Sequence, residues 1–312
     1  MNKTVQISIV IVNYNVKDML LRCLNSIYSK YNNSLLIETI VIDNDSKDGS
    51  VEAVVNNFPQ VIVIENKFNA GFSAANNQGM RIAKGKYVFL LNPDTEIIDD
   101  ALIQLMNCIS NSNTCVIVAP QLLNSYKSIQ ISAWKNHSVM DLVNETFYFH
   151  KLFSLINFPS EKLKTTFEAK TLSGAALFFR KELINKMGML DEQFFWMEDI
   201  DFCYRAQQYG LLIYLHSAQV FHYSGKSQKK NYNAAISNQL LSKLKYYKKH
   251  SSIINVIIAN ICCFIFIVTR LCALLVLMPF KEIYKLKAKA YLYSLKRYIN
   301  YLFLNETTLT LK

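Results

Sequence analysis

The chain lacks any framework for pairing its seven cysteines: their number is odd, none forms a CxxC, and most sit among apolar neighbours. This argues against a disulfide scaffold or a thiolate metal site, and fits buried free thiols in a reducing compartment. A signal-peptide pattern is also missing, because the run Ile7 to Val12 is strand-sized and ends at the polar Asn13-Tyr14-Asn15. There is no internal repeat and no low-complexity tract. Acid is nearly absent from one region: residues 226–300 carry fourteen Lys/Arg against the single acid Glu282, a net of +13. Residues 1–225 carry nineteen Lys/Arg against twenty-one Asp/Glu, a net of −2. The overall charge of +11 therefore belongs to the tail. With 51% apolar and 18% charged residues, 312 residues suit one large folded domain plus an apolar appendage, and not disorder or a polytopic membrane protein.

What is present starts with alternation. Val5–Val12, Ile37–Ile42, Val61–Ile64 and Tyr87–Leu91 are short apolar, β-rich runs. Between them, Val16 to Tyr28, residues 48–57 and residues 73–84 carry helical spacing. Strands flanked by amphipathic helices predict a mostly parallel sheet, whose ligands bind beyond the carboxyl ends of its strands. Polar clusters stand at those ends: Asn13-Tyr14-Asn15, Asp43-Asn44-Asp45-Ser46 and Asn92-Pro93-Asp94-Thr95. One cluster alone reads as a turn; three on one edge predict a ligand cleft. Residues 121–170 lack clean periodicity and read as helices and loops over that cleft. A small-residue turn, Ser173 to Ala176, then runs into a strand, and helices follow at 181–187 and from Glu198 to Gly210.

Three places could carry chemistry. Asp94 is a candidate ligand for a hard divalent cation, Mg²⁺ or Mn²⁺, with the alternative that it caps the helix expected near Asp99–Ser110. Glu198 and Asp199 stand in a first helical turn after the apolar Phe194-Phe195-Trp196-Met197. Burial beside that wall would raise their pKa values, as suits a general base. Asp201, four residues before Arg205, reads as a local ion pair. His222, followed by Ser224-Gly225-Lys226-Ser227, is either structural or part of a phosphate or metal site.

These residues carry a resemblance. IVIVNYN at 9–15, VIDNDSKDGS at 41–50, NAGFSAANNQG at 69–79, LLNPDTE at 90–96, LSGAALFFRKEL at 172–183 and LDEQFFWMEDIDFCYRAQQYG at 190–210 resemble, in order, the motifs of bacterial family 2 glycosyltransferases. The rhamnosyltransferase-like members resemble it most. The resemblance implies a GT-A fold: an α/β, Rossmann-like nucleotide-diphospho-sugar transferase with a mixed sheet and flanking helices. The domain would span 1–230, with a donor half to about 120 and an acceptor half from about 121. By the same resemblance Tyr14 and Asp43 hold the nucleobase with Asp45 nearby, and Asn69, Gly71, Asn76 and Asn92 lie along the donor. Asp94 and His222 bind the metal, and Asp199, beside Glu198, is the base. Asn92 stands where the family's DxD motif has its first acid, which leaves the cation more dependent on Asp94. The implied reaction is inverting transfer of a sugar, with dTDP-rhamnose a first expectation, to a lipid-linked glycan acceptor. The family's processive synthases carry a QxxRW segment; Trp134 and Trp196 are preceded by Ala133 and Phe195, so a non-processive enzyme is expected. A non-catalytic nucleotide-sugar-binding subunit is the alternative, and Asn92 alone favours it.

The tail, 231–312, reads as membrane-associated helices. Ile253–Phe280 is apolar apart from Asn255, Asn260 and Arg270. Lys243, Lys245, Lys248 and Lys249 precede it, and Lys281, Lys285, Lys287, Lys289, Lys296 and Arg297 follow it. A single span would place one group outside, against the positive-inside tendency. A re-entrant hairpin or in-plane helices on an anionic cytoplasmic leaflet are therefore expected, and nucleic acid is not. This places the chain at the cytoplasmic face of the inner membrane.

Overall fold

A computed structural model of the chain describes residues 5–31, 35–135, 137–148, 158–223 and 232–304. In chain order it contains β1 (Ile7–Asn13), α1 (Lys17–Tyr31), β2 (Ile37–Asp43), α2 (Ser50–Asn57), β3 (Ile62–Glu65), α3 (Phe72–Ile82) and β4 (Tyr87–Leu91). β5 (Thr95–Ile97), α4 (Ala101–Ser110), β6 (Cys115–Leu123), β7 (Ala133–Trp134), α5 (Val139–Thr146), β8 (Phe167–Ala169) and β9 (Thr171–Leu172) follow. Last come β10 (Ala176–Arg180), α6 (Glu182–Met187), α7 (Glu198–Ala206), β11 (Leu211–His222), α8 (Tyr232–His250), α9 (Ile253–Leu277) and α10 (Glu282–Leu304).

The chain divides into two compact units. The first holds a sheet in the order β3-β2-β1-β4-β10-β6-β11-β5, with β8 also paired to β11, and a two-stranded sheet of β7 and β9. β1 is parallel to β2 and to β4, and β2 to β3. β10 runs antiparallel to both β4 and β6, so the sheet is mixed. The strand period of two explains its layers: Ile7, Ile9 and Ile11 join one core cluster with Leu20, Leu24 and Ile27 of α1. Val10 points into the other, with Ala75 and Met80 of α3. Helices cover both faces, and strands buried on both faces read as continuous apolar runs.

This topology decides where the polar clusters go. The ends of β1, β2 and β4, the start of β10 and the end of β11 share one sheet edge. β6 is a correction to the expectation of helices and loops after residue 120. It is a fully buried strand that runs on to Leu123. Pro120 and Gln121 break its apolar pattern, and the register of β11 against it shifts between Leu215 and Gln219, beside Pro120.

The second unit gathers the described residues of 137–156, 192–198 and 225–312, so two internal segments join the C-terminal helices. α10 packs along both α8 and α9, and α5 packs on α9. α9 is one continuous helix of 25 residues, so the re-entrant hairpin expected within 253–280 does not form. Its Arg270 causes no break because it is satisfied sideways. The guanidinium donates to the carbonyls of Thr146 and Glu145 at 3.0 Å each, and lies over the rings of Phe266 and Tyr148. Three of the expected membrane-facing cations are also engaged internally. Lys243 pairs with Glu145, buried Lys245 donates to the carbonyl of Gln193, and buried Arg297 donates to Ser237 and Asn238. Lys248, Lys249, Lys281, Lys285, Lys289 and Lys296 remain exposed.

Candidate active site

The end of β1 is tied to the end of β2 by side chains. Asn13 Nδ2 donates to Asp43 Oδ1 at 2.8 Å and to Ser46 Oγ at 3.0 Å, and the Ser46 amide donates to Asp43 Oδ2 at 2.8 Å. Asp43 is 2% exposed, so its carboxylate first organises the loop after β2. Tyr14 stands 44% exposed beside it. Asp45 takes a left-handed φ of 67° and pairs with Lys47.

Next along the edge, Gly71 (φ 85°) opens α3, and its amide donates to Asn69 Oδ1 at 2.9 Å. Asn76 is buried and turned into its own helix, donating to the Phe72 carbonyl at 3.0 Å. An amide relay that sequence reasoning missed supports this stretch. Asn66 Nδ2 donates to Asn44 Oδ1 and Gln78 Oε1, and Asn44 Nδ2 reaches the Gly71 carbonyl. Asn13 Oδ1 and Ser73 Oγ are buried on this side without a partner among the described residues, an exception expected where a ligand completes the set.

After β4, the chain turns through Asn92 and Asp94. The Asn92 amide donates to the Ala175 carbonyl at 2.9 Å, which fixes this turn against the Ser173–Ala175 turn before β10. Asp94 caps no helix: Asp100 holds the N-cap position of α4. Asp94 instead faces His222, Oδ1 to Nε2, at 3.5 Å, with both side chains mostly buried. The partner that orients His222 is Gln130, 92 residues away. Gln130 Nε2 donates to the His222 carbonyl at 2.6 Å, which leaves Gln130 Oε1 to accept from His222 Nδ1 at 3.0 Å. Nε2, which carries the lone pair in the neutral imidazole, is thereby turned towards Asp94. A carboxylate oxygen and an imidazole nitrogen that face each other at 3.5 Å, too long for a good hydrogen bond, fit the ligands of a divalent cation. No group of three or more His, Cys, Asp or Glu side chains forms among the described residues. A cation held by these two would take its remaining ligands from a bound phosphate and from water.

Asp199 lies on the other side of the same turn. Its Oδ2 accepts from the Gly174 amide at 2.9 Å and its Oδ1 from the Ile200 amide at 2.9 Å. Burial pushes its carboxyl above the usual carboxylate range, and the backbone N–H groups oppose that shift. A Cβ at position 174 would come within 3.1 Å of Asp199 Cβ, a tight approach that glycine avoids. Gly174, Ala175 and Asn92 thus join Asp199 to the Asp94 turn through backbone alone. Glu198 opens α7 and is half-buried. Asp201 is fully buried in an ion pair with Arg205, at 2.8 Å, and Arg205 also holds the carbonyls of Met187 and Met189. That carboxylate is structural. The Ser224-to-Ser227 loop lies outside the described residues.

The sequence profile described as Glycosyl transferase family 2 matches residues 8–188. A curated relative, the low-salt glycan biosynthesis hexosyltransferase Agl10 of Haloferax volcanii, is 28% identical over 66% of this chain and 63% of its own length. An N-acetylglucosaminyl-diphospho-decaprenol L-rhamnosyltransferase of Mycobacterium tuberculosis is 25% identical over 61% of this chain and 68% of its own. An uncharacterized glycosyltransferase of Escherichia coli, YibD, is 36% identical over 31% of this chain and 28% of its own. The chain thus spans less than two-thirds of the length of some of these relatives. Among solved structures, the mannosyltransferase PcManGT of Pyrobaculum calidifontis, in complex with GDP-Man and Mn²⁺, superposes with a TM-score of 0.57 at 14% identity, covering 98% of this chain and 89% of that one. GalNAc-T7 with UDP, GalNAc and Mn²⁺ gives 0.59 at 18% identity, covering 78% of this chain and 48% of that one. At such identities the likeness is one of fold, the GT-A fold.

Proposed function

The chain belongs to glycosyl transferase family 2, and on that premise we propose that it is an inverting, non-processive glycosyltransferase with a nucleotide-diphospho-sugar donor and a lipid-linked glycan acceptor. The observation that carries this reading is the Asp94–His222 pair, joined through Asn92, Ala175 and Gly174 to the half-buried carboxylate of Asp199. Tyr14, Asp43 and Asp45 at the ends of β1 and β2 would receive the nucleoside. Asn69, Gly71, Asn76 and Asn92 would line the path of the diphospho-sugar. Asp94 and His222 would hold a divalent cation, Mg²⁺ or Mn²⁺, which when bound supplies positive charge against the diphosphate.

In the transfer step the acceptor oxygen forms its bond to the anomeric carbon and gives its proton to Asp199. The bond from that carbon to the diphosphate oxygen breaks, and the nucleotide leaves with the electron pair. Attack opposite the leaving group inverts the anomeric centre. A carboxylate whose pKa is raised by burial accepts the proton more readily than an exposed one. Rhamnose from dTDP-rhamnose is the donor proposed first, because a rhamnosyltransferase is among the relatives. The exposed apolar surface of α9 and the lysines around it support attachment to an anionic membrane, at its cytoplasmic face.

Asp199→Asn is expected to lower transfer about 10²–10⁴-fold, the usual share of a general base. Donor affinity, read by calorimetry with a nucleotide-sugar panel and Mn²⁺, should stay within a few-fold of the parent. Near-normal turnover in that variant would remove Asp199 from the mechanism.

A further inference from the structure

Within the first unit, the turn that carries Asp94 is gripped from one face of α1. Arg22 and Cys23 stand four and three residues before Ser26, the spacing that puts all three on that face. Ser26 Oγ accepts from the Ile97 amide at 3.0 Å. The Cys23 thiol lies 3.6 Å from Thr95 Oγ1, which donates to the Asn92 carbonyl at 2.7 Å. Arg22 pairs with Glu96, Nε to Oε1, at 3.6 Å. β11 reaches the same turn, with His222 opposite Thr95 and Phe221 opposite Glu96. One more rung follows, in which the Tyr223 amide donates to the Asp94 carbonyl at 2.9 Å. Arg22 also holds the side chain of Tyr223: its guanidinium lies 4.9 Å from the centre of that ring. The Tyr223 hydroxyl donates to Glu96, and Phe221 stacks on the same ring at 6.1 Å. Arg22 thus touches both strands that bring Asp94 and His222 together, β5 through Glu96 and the end of β11 through Tyr223.

We propose that Arg22 is a positioning residue for the cation site: through Glu96 and Tyr223 it locks the end of β11 to the turn after β4, and so fixes His222 opposite Asp94. Hydrogen bonds at the end of a strand open most readily, and the Tyr223–Asp94 rung is such an end. Two ligands on different strands keep a fixed separation only while that rung stays closed. Gln130 sets the rotation of the imidazole, and Arg22 sets where its backbone stands. Arginine suits the place because a planar guanidinium can lie over a ring and pair with a carboxylate at once. Its side chain is 51% exposed, and an ion pair of that kind adds little to global stability, so its effect is local. The consequence for the site rests on the cation reading of Asp94 and His222, and the measurements below separate the two.

Amide hydrogen exchange reads the rung without any metal. In the full chain in detergent, Arg22→Gln should speed exchange of the Tyr223 amide about ten-fold or more, resolved by fragmenting a peptide that covers 216–224. The amides of Ile9 and Ile11 in β1 should keep their rates, and the melting temperature should stay within about 2 °C of the parent's. Tyr223→Phe, which keeps the ring and loses the bond to Glu96, should give a smaller increase. Arg22→Lys, which keeps the charge, should fall between Arg22→Gln and the parent. Unchanged exchange at Tyr223 in Arg22→Gln overturns the brace, whether or not a cation binds. Faster exchange in β1 as well would mark general loosening and overturn it too. The paramagnetic resonance signal of free Mn²⁺, with UDP, dTDP or GDP present, then reads the consequence. The Mn²⁺ dissociation constant should rise about ten-fold in Arg22→Gln, while nucleotide affinity without metal stays within about two-fold. A Mn²⁺ affinity equal to the parent's would break the link from brace to site. A parent that binds no Mn²⁺ with any of these nucleotides would count against the cation reading itself, and exchange at Tyr223 would still decide the brace.

Discussion

The two units differ in what they leave exposed. In the first, Ile7, Ile9 and Ile11 are fully enclosed between helices, and polar side chains gather at one sheet edge. In the second, Ile253, Val276, Phe280 and Phe303 are 71–78% exposed, while Arg297, Lys245, Ser237 and Asn238 are buried. Patches of this kind are rare on monomeric proteins surrounded by water. Polar side chains joining helices whose outer faces are apolar are the pattern expected in lipid. α9, at 25 residues, is about 37 Å long, more than the roughly 30 Å of a bilayer's hydrocarbon. On the membrane reading proposed above, one rule, matching each surface to its surroundings, accounts for both arrangements.

The sharpest way to break that comparison is to make one kind of change in both units. Phe178→Ala, in the enclosed core, should cost about 3–5 kcal/mol in chemical unfolding. Ile257→Ala, on the exposed face of α9, should stay within about 0.5 kcal/mol. Comparable losses at both sites would mean that α9 packs against protein. A smaller effect is expected at the buried polar contact. Arg297→Ala leaves Ser237 and Asn238 without their donor and should cost about 1–3 kcal/mol. Stability unchanged by that substitution would show that α8 and α10 do not depend on it. Replacing Ile257, Ile261 and Phe264 together by Ser should leave the melting temperature in detergent nearly unchanged and lower sedimentation with anionic vesicles several-fold. Vesicle binding equal to the parent's would sink the membrane reading.

The smallest effect concerns pH and belongs to the first unit. The folded pKa of Asp199 is raised, so its contribution to stability is fully present below the ordinary carboxylate value near 4 and is lost as pH rises through the folded value. Transfer moves the other way, because the base must lose its proton before it can act. Thermal melts and rates from pH 4 to 8 should show these opposite trends, and Asp199→Asn should flatten this part of the stability profile. Parallel trends in the parent would mean that another group controls the rate.

Legibility in the sequence followed locality. Tyr87–Leu91 is an unbroken apolar run, and the strand has those same bounds, because both its faces are covered. The Asp201–Arg205 pair is four residues apart on one helix and was equally readable. β6 was missed because Pro120 and Gln121 interrupt it and its burial comes from β10 and β11, far along the chain. Lys243, Lys245 and Arg297 read as membrane-facing cations until packing gave each an internal partner.

By itself the sequence determined the family, the alternation of strands and helices, and the edge on which the polar clusters stand. These follow from periodicity and from motifs a few residues long. Tertiary structure alone decided that Asp43 is held by Asn13, that Gln130 orients the ring of His222 beside Asp94, and that Ser242 holds the loop before the base. Each of those contacts joins residues 30 to 92 positions apart. Such contacts form once strand register and helix packing have met the entropy of closing the chain between them, and no local pattern records that outcome.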